Sequence, residues 1–250
     1  MLTFGVDIGG SGIKGAPVDL EKGTLSQQRF KVRTPHPATV AGVTDGVKQI
    51  VDHFDWSGPV GLTFPGVVTV GSTIRSASNV DQDWIDMDAR ALFSERLGGH
   101  PVTVVNDADA AGLAELRFGA AMGRRGTVIL LTFGTGIGSA LFNDGVLVPN
   151  VELGHLELWG QDAERRASSK AKEEGGLAWK EWAGRVKEYL AHVERLFSPE
   201  LIVIGGGISR ESEKFLPLLD GVRTEIVPAQ LHNDAGIVGA AMCAARQAAA

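Results

Sequence analysis

The chain has 250 residues, 44% of them hydrophobic and 22% charged, with a net charge of −6. This is enough for one large or two small folded domains, and the acidic balance argues against a general nucleic-acid binder. The single cysteine, Cys243, excludes an internal disulfide framework and a cysteine zinc cluster. No apolar run approaches the roughly 18 residues of a membrane span, and no signal segment precedes the first β-like run. A cytoplasmic protein with neither membrane nor nucleic-acid partners is the expectation.

In chain order, Leu2–Ile8 reads as a strand, a glycine-rich turn follows, and Ile13–Val18 reads as a second strand. Thr39–Phe54 has helical spacing, with Val40, Val43, Val47, Ile50 and Val51 on one side. Val60–Thr63 is a short strand before the Pro65-Gly66 turn. Met87–Leu97 is predicted helical, Val102–Val105 a buried strand and Ala108–Phe118 a helix. The second half repeats this order. Thr127–Phe133 is a strand, a second glycine loop follows, Ser139–Phe142 is its partner, and Asn143-Asp144-Gly145 turns into Val146–Val148. Gly175–Phe197 reads as a long amphipathic helix, Leu201–Ile204 as a strand, Ser212–Leu219 as helical, Thr224–Val227 as a strand and Ile237–Ala249 as a closing helix. The pattern predicts two mixed α/β lobes with a cleft.

The two glycine loops carry most of the functional information. The first is Asp7-Ile8-Gly9-Gly10-Ser11-Gly12-Ile13-Lys14-Gly15 and the second Gly134-Thr135-Gly136-Ile137-Gly138. Glycines bring backbone N–H groups close to an anion, so two such loops suggest two lobes holding one phosphate chain. Gly10 to Gly15 is a literal G-x-G-x-x-G, but the continuation Ala16-Pro17-Val18-Asp19 is a proline-broken strand. A dinucleotide-binding fold opens a helix there and places an acidic residue about 20 positions on. Neither is found, and no phosphate-binding G-x-x-x-x-G-K-[ST] string is present.

Asp7 ends its strand, where a carboxylate can hold a divalent cation through water, or serve as a turn residue. Lys14 can place a point charge on phosphate, or be an exposed strand lysine. Ser11 and Thr135 add hydroxyls to the loops. Asn106-Asp107 ends a strand, where α/β folds place reactive groups; Asp107 can accept a proton from an attacking hydroxyl, or the pair can simply cap a helix. Glu152, His155 and Glu164 are suited to gripping sugar hydroxyls; a lone histidine is more often structural, metal binding by His155 is unsupported by a partner pattern, and Asn79 is another polar candidate near a turn. Gly205-Gly206-Gly207 allows close approach of a ligand, or a tight strand-to-helix turn. Arg165, Arg166, Lys170, Lys172 and Arg124-Arg125 form either a polyanion track or a solvated face interleaved with Glu164, Glu173 and Glu174.

Together these strings resemble the ROK family of sugar kinases and repressors, within the hexokinase and actin superfamily, over nearly the whole chain. The resemblance implies an α/β, two-lobed actin/hexokinase-like (ribonuclease H-like) fold with a central cleft. It places a small lobe at 1–106, a larger one at 107–250, and a closing helix that can cross between them. Gly9, Gly10, Ser11, Gly12 and Lys14 look like the first phosphate loop, and Gly134, Thr135 and Gly136 like the second. Asn106 and Asp107 look like the sugar-binding and catalytic pair, Glu152-Leu153-Gly154-His155 like the sugar motif, and Gly205, Gly206 and Gly207 like the nucleotide-side loop. Members usually carry a cysteine-rich zinc motif ending in a sugar-binding glutamate. Here the cysteines are missing, and Glu164, in preference to Glu157, stands in the glutamate's place, so no structural zinc is expected.

This shortened pattern is similar to the family's polyphosphate glucokinase branch in actinobacteria, as are the Phe215-Leu216-Pro217 and Ile226-Val227-Pro228-Ala229-Gln230 strings. The implied reaction transfers a phosphoryl group from inorganic polyphosphate, or also ATP, to the 6-hydroxyl of glucose, with mannose as another acceptor. Asp107 is the implied base, Asp7 the holder of Mg²⁺, and a homodimer the implied assembly. A strictly ATP-dependent glucokinase or glucomannokinase is the alternative. A sugar-responsive repressor would need a DNA-binding segment before the first core strand, and the sugar motif disfavours a chaperone-type ATPase.

Overall fold

In the computed structural model, which describes residues 1–248, β1 (Leu2–Gly9) turns at Gly10 and Ser11 into antiparallel β2 (Gly12–Asp19). Two short strands, β3 (Thr24–Leu25) and β4 (Phe30–Val32), both pair with β2. On the other side β5 (Val60–Phe64) runs parallel to β1, and β6 (Val102–Asn106) parallel to β5. The result is a six-stranded sheet. Every residue of β5 is buried, as expected of a central strand covered on both faces.

Helix α1 (Val40–His53) is capped by Thr39, whose hydroxyl accepts the Gly42 N–H at 3.2 Å. It buries Val43, Val47, Ile50 and Val51, the stripe the spacing predicts. Helix α2 (Ala89–Arg96) begins two residues after the expected start because Asp88 caps it, accepting the Ala91 N–H at 3.0 Å. Phe64, Trp84 and Phe93 form a stacked and tilted aromatic group in this core. Helix α3 (Asp107–Phe118) follows β6 directly.

The second sheet is five-stranded. Its hairpin is β7 (Thr127–Phe133) with β8 (Ile137–Asn143), extended by β9 (Val146–Val148). On the other side β12 (Leu201–Gly205) runs parallel to β7, and β13 (Glu225–Pro228) parallel to β12. This is the plan of the first sheet again: an antiparallel hairpin flanked by parallel strands. A small hairpin, β10 (Glu157–Leu158) with β11 (Gln161–Asp162), leads into the short helices α4 (Glu164–Ala167) and α5 (Ser169–Glu174).

The long helix α6 is Trp179–Phe197, starting after the expected Gly175. Gly175 instead closes α5, and Gly176 has φ +57°. Buried Trp182 contacts Phe133 and Phe215, and its Nε1–H donates to the Ala167 carbonyl at 2.9 Å. The expected helix at Ser212–Leu219 is corrected to 3₁₀ turns at Gly207–Lys214 and Leu216–Leu218, separated at Phe215, whose backbone is not helical.

The chain closes with α7 (Ala235–Ala248), which covers β1 and β5. Gly5 and Gly61 permit this approach: a Cβ on either would sit 1.9 Å from a carbonyl oxygen of α7. Two units result. One comprises Met1–Ala114 together with the stretch from Asp234, and the other Glu115–Asn233, so the division falls within α3. No helix among the described residues is long and apolar enough to cross a membrane.

Candidate active site

In the first unit the candidate residues gather at the carboxyl ends of parallel strands, where α/β folds place ligand groups. Asp7, near the end of β1, pairs through Oδ2 with Lys14 Nζ at 2.9 Å; both side chains are about four-fifths covered. Its Oδ1 accepts the Thr63 hydroxyl at 2.8 Å, and Thr63 Oγ1 in turn accepts the Ile8 N–H at 3.0 Å. Thr63 thus aims the carboxylate, a role invisible in sequence because it depends on β1–β5 pairing. Gly236, in the first turn of α7, lies so close that a Cβ there would be 2.9 Å from Asp7 Cγ. The carboxylate therefore meets the positive end of that helix. Asn79, with φ +62°, rests against Gly10, 3.0 Å from the place its Cβ would take.

Asn106 ends β6 and is buried. Its Oδ1 accepts the Asp109 N–H at 3.0 Å and its Nδ2 donates to the Gly66 carbonyl at 3.1 Å. Asn106 is therefore the N-cap of α3. Asp107 is the first residue inside the helix, partly exposed, with Oδ1 accepting the Ala108 N–H at 2.8 Å. Of this pair Asn106 caps the helix, and Asp107 presents a carboxylate held at the helix start.

The second unit assembles its own group. Between β7 and β8 the loop Gly134-Thr135-Gly136 closes on a Gly134 N–H to Gly136 carbonyl bond of 2.9 Å. Glu164 Oε2 accepts the Ile137 N–H at 3.0 Å. It occupies space that side chains on Gly136 and Gly154 would fill, at 2.3 and 3.0 Å from their Cβ positions. Ser139 fixes the neighbouring segment, its Oγ accepting the Leu153 N–H at 2.8 Å and donating to the Val151 carbonyl. Buried Tyr189 donates to the Leu153 carbonyl at 3.2 Å, and burial drives its phenol pKa upward.

Exposed His155 lies 3.2 Å through Nδ1 from Asp162, and polar atoms of His155, Asp162 and Glu164 fall within 4.8 Å of one another. Burial pushes the Glu152 carboxyl up; His155 pulls it down and Glu164 pushes it further up. Glu152, His155 and Glu164 are thus brought together, with Asp162 as a member that sequence reasoning missed. Glu157 is exposed in β10.

Gly206 has φ +79° and packs where a Cβ would be 2.3 Å from the Phe133 carbonyl, beside the second glycine loop. Four of the six basic candidates are engaged locally. Arg124 pairs with Glu225 at 2.6 Å and Lys170 with Glu174 at 3.8 Å; Lys172 lies over Trp179 and Arg166 over Trp159. These contacts favour the reading of a solvated face.

Two α/β units of one plan, each with a glycine hairpin loop at its first strand pair, define a protein of the actin/hexokinase-like class. The ROK family model matches residues 3–164, and the chain belongs to the ROK family. It is 52% identical over 239 residues to the polyphosphate glucokinase of Mycobacterium tuberculosis, covering 96% of this chain and 89% of that protein. Among solved structures, the inorganic polyphosphate/ATP-glucomannokinase of Arthrobacter sp. strain KM superposes with a TM-score of 0.95. It is 52% identical, covering 98% of this chain and 99% of that one. A ROK family glucokinase from Streptomyces griseus, in complex with glucose and AMPPNP, gives a TM-score of 0.84 at 28% identity, covering 98% and 100%.

Proposed function

We propose that this chain is a hexose kinase that transfers a phosphoryl group from inorganic polyphosphate to the 6-hydroxyl of glucose. The observation that carries the reading is the nearly full-length 52% identity to a polyphosphate glucokinase. ATP as a second donor and mannose as a second acceptor are supported by the name of the equally similar glucomannokinase. A homodimer and a cytoplasmic location belong to the same reading, on the family resemblance.

In this reading Asp107 is the general base. Its carboxylate is partly exposed and placed at the start of α3. Asn79, Asn106, Glu152, His155 and Glu164 hold the sugar. The loop residues Gly9, Gly10, Ser11 and Gly12, with Lys14, and the loop residues Gly134, Thr135 and Gly136 hold donor phosphates, with Gly205 to Gly207 on the donor side. Phosphoryl transfer depends mainly on positioning and charge stabilisation.

Asp7 fits a magnesium site: it is an oxygen donor, partly exposed, with two of its roughly four lone-pair directions taken by Thr63 and Lys14. Mg²⁺, which keeps several waters, would be held there through water and would neutralise charge on the transferred group.

A coupled assay of glucose or mannose against ATP or polyphosphate tests the function; glucose-dependent use of neither donor would overturn it. Asp107→Asn tests the base, with an expected loss of roughly 10²–10⁴ in kcat and an unchanged melting temperature. A folded variant with near-parental turnover refutes the assignment.

A further inference from the structure

Strand register places three charged residues in one row on the first sheet. Asp7 on β1 is opposite Lys14 on β2, and Lys14 is opposite Lys31 on β4. Directly opposed residues of antiparallel strands share a face. Lys14 is matched by Asp7 at 2.9 Å. Among the described residues Lys31 makes no ion pair, and it is exposed.

The Lys31 side chain leans towards the first glycine loop. Its Cε lies 2.2 Å, and its Nζ 3.1 Å, from the place a Cβ would take on Gly12. It fills the gap that glycine leaves at the start of β2. The segment is anchored from its other end as well: buried Thr34, just past β4, donates its hydroxyl to the Gly9 carbonyl at 2.5 Å. Register, gap and anchor together hold an unmatched ammonium beside the Gly9–Gly12 turn.

We propose that Lys31 is a donor-binding residue of this loop, contacting non-bridging oxygens of a condensed phosphate chain. The proposal rests on the reading of the loop as a phosphate loop. An ammonium is a compact point charge that asks nothing of a base or ribose, so it suits a donor made only of phosphates. The carboxylate beside Lys14 offsets part of that residue's charge, and Lys31 supplies the positive charge that the row otherwise lacks.

The test compares Lys31→Met, which keeps an unbranched stem over Gly12, with Lys31→Arg, Lys31→Gln and Lys14→Met. Kinetics with glucose and polyphosphate of defined length are measured over a range of salt. For Lys31→Met and Lys31→Gln the donor KM should rise about tenfold or more, as for loss of a charged hydrogen bond. The dependence of log KM on log salt should also flatten, because one fewer charge is screened. Turnover number, glucose KM and melting temperature should stay within about twofold or a degree or two of the parent, and Lys31→Arg should recover most of the donor KM.

An unchanged donor KM and salt slope in folded Lys31→Met and Lys31→Gln, with a raised donor KM in Lys14→Met, overturns the proposal and leaves the loop reading standing. Unchanged donor KM in all of them overturns the loop reading itself.

Discussion

Glu152 carries its charge at a cost. Burial and the neighbouring Glu164 carboxylate raise its pKa, and His155 only partly opposes them. The folded state therefore holds this proton more tightly than the unfolded chain, whose Glu titrates near about 4.3. The sign follows by linkage: this contribution to stability is present below the unfolded value and is lost as pH rises through the raised folded value. Glu152→Gln should melt higher than the parent at about pH 8 and equally at about pH 4, while glucose KM rises. Thermal melts across pH check this, and a variant that melts lower at high pH refutes it.

Glu152 and His155 were legible because they stand in a short motif, and Glu164 because it falls where the family's zinc segment ends in a glutamate. Asp162, Ser139, Thr63 and Lys31 were not, since each acts through a partner that only strand pairing or hairpin register supplies. Glu115 is the plainest case. It reads as one more helix residue, yet it is buried and accepts N–H groups from Ala120, Gln230 and Leu231.

At the scale of elements, periodicity was a good guide wherever an element buried one clear face. The α1 and α6 stripes and the two glycine hairpins are present as the spacing predicts. It failed where three-residue strands carry no period, as at Phe30–Val32, and at the start of the long helix, where Gly175 closes α5 and α6 begins only at Trp179.

Nor does sequence show which glycines are crowded. Gly61→Ala would drive a methyl into the Ala240 carbonyl of α7, backbone against backbone. It should destabilise by about 3 kcal/mol, at the upper end for overpacking. Gly184, exposed on α6 with nothing within 4 Å of its Cβ position, is the counterpart. Gly184→Ala should stabilise by up to about 1 kcal/mol through helix propensity. Denaturant midpoints separate the two, and equal effects would refute the packing argument.

For the whole molecule, α7 has a consequence in time. Its residues follow the entire second unit in sequence yet complete the first, covering β1 and β5 through Gly5 and Gly61. During synthesis, Glu115–Asn233 emerges as an uninterrupted stretch with its own core. The strands made first must wait, without their covering helix, until that stretch has left the ribosome. The expected order is therefore the reverse of the usual N-terminal-first folding of domains. Released chains truncated just before Ala235 should resist protease within 115–233 while Leu2–Gly9 remains cleavable. Protection of both would refute this order. The early strands are then the part of the newborn chain most in need of a chaperone.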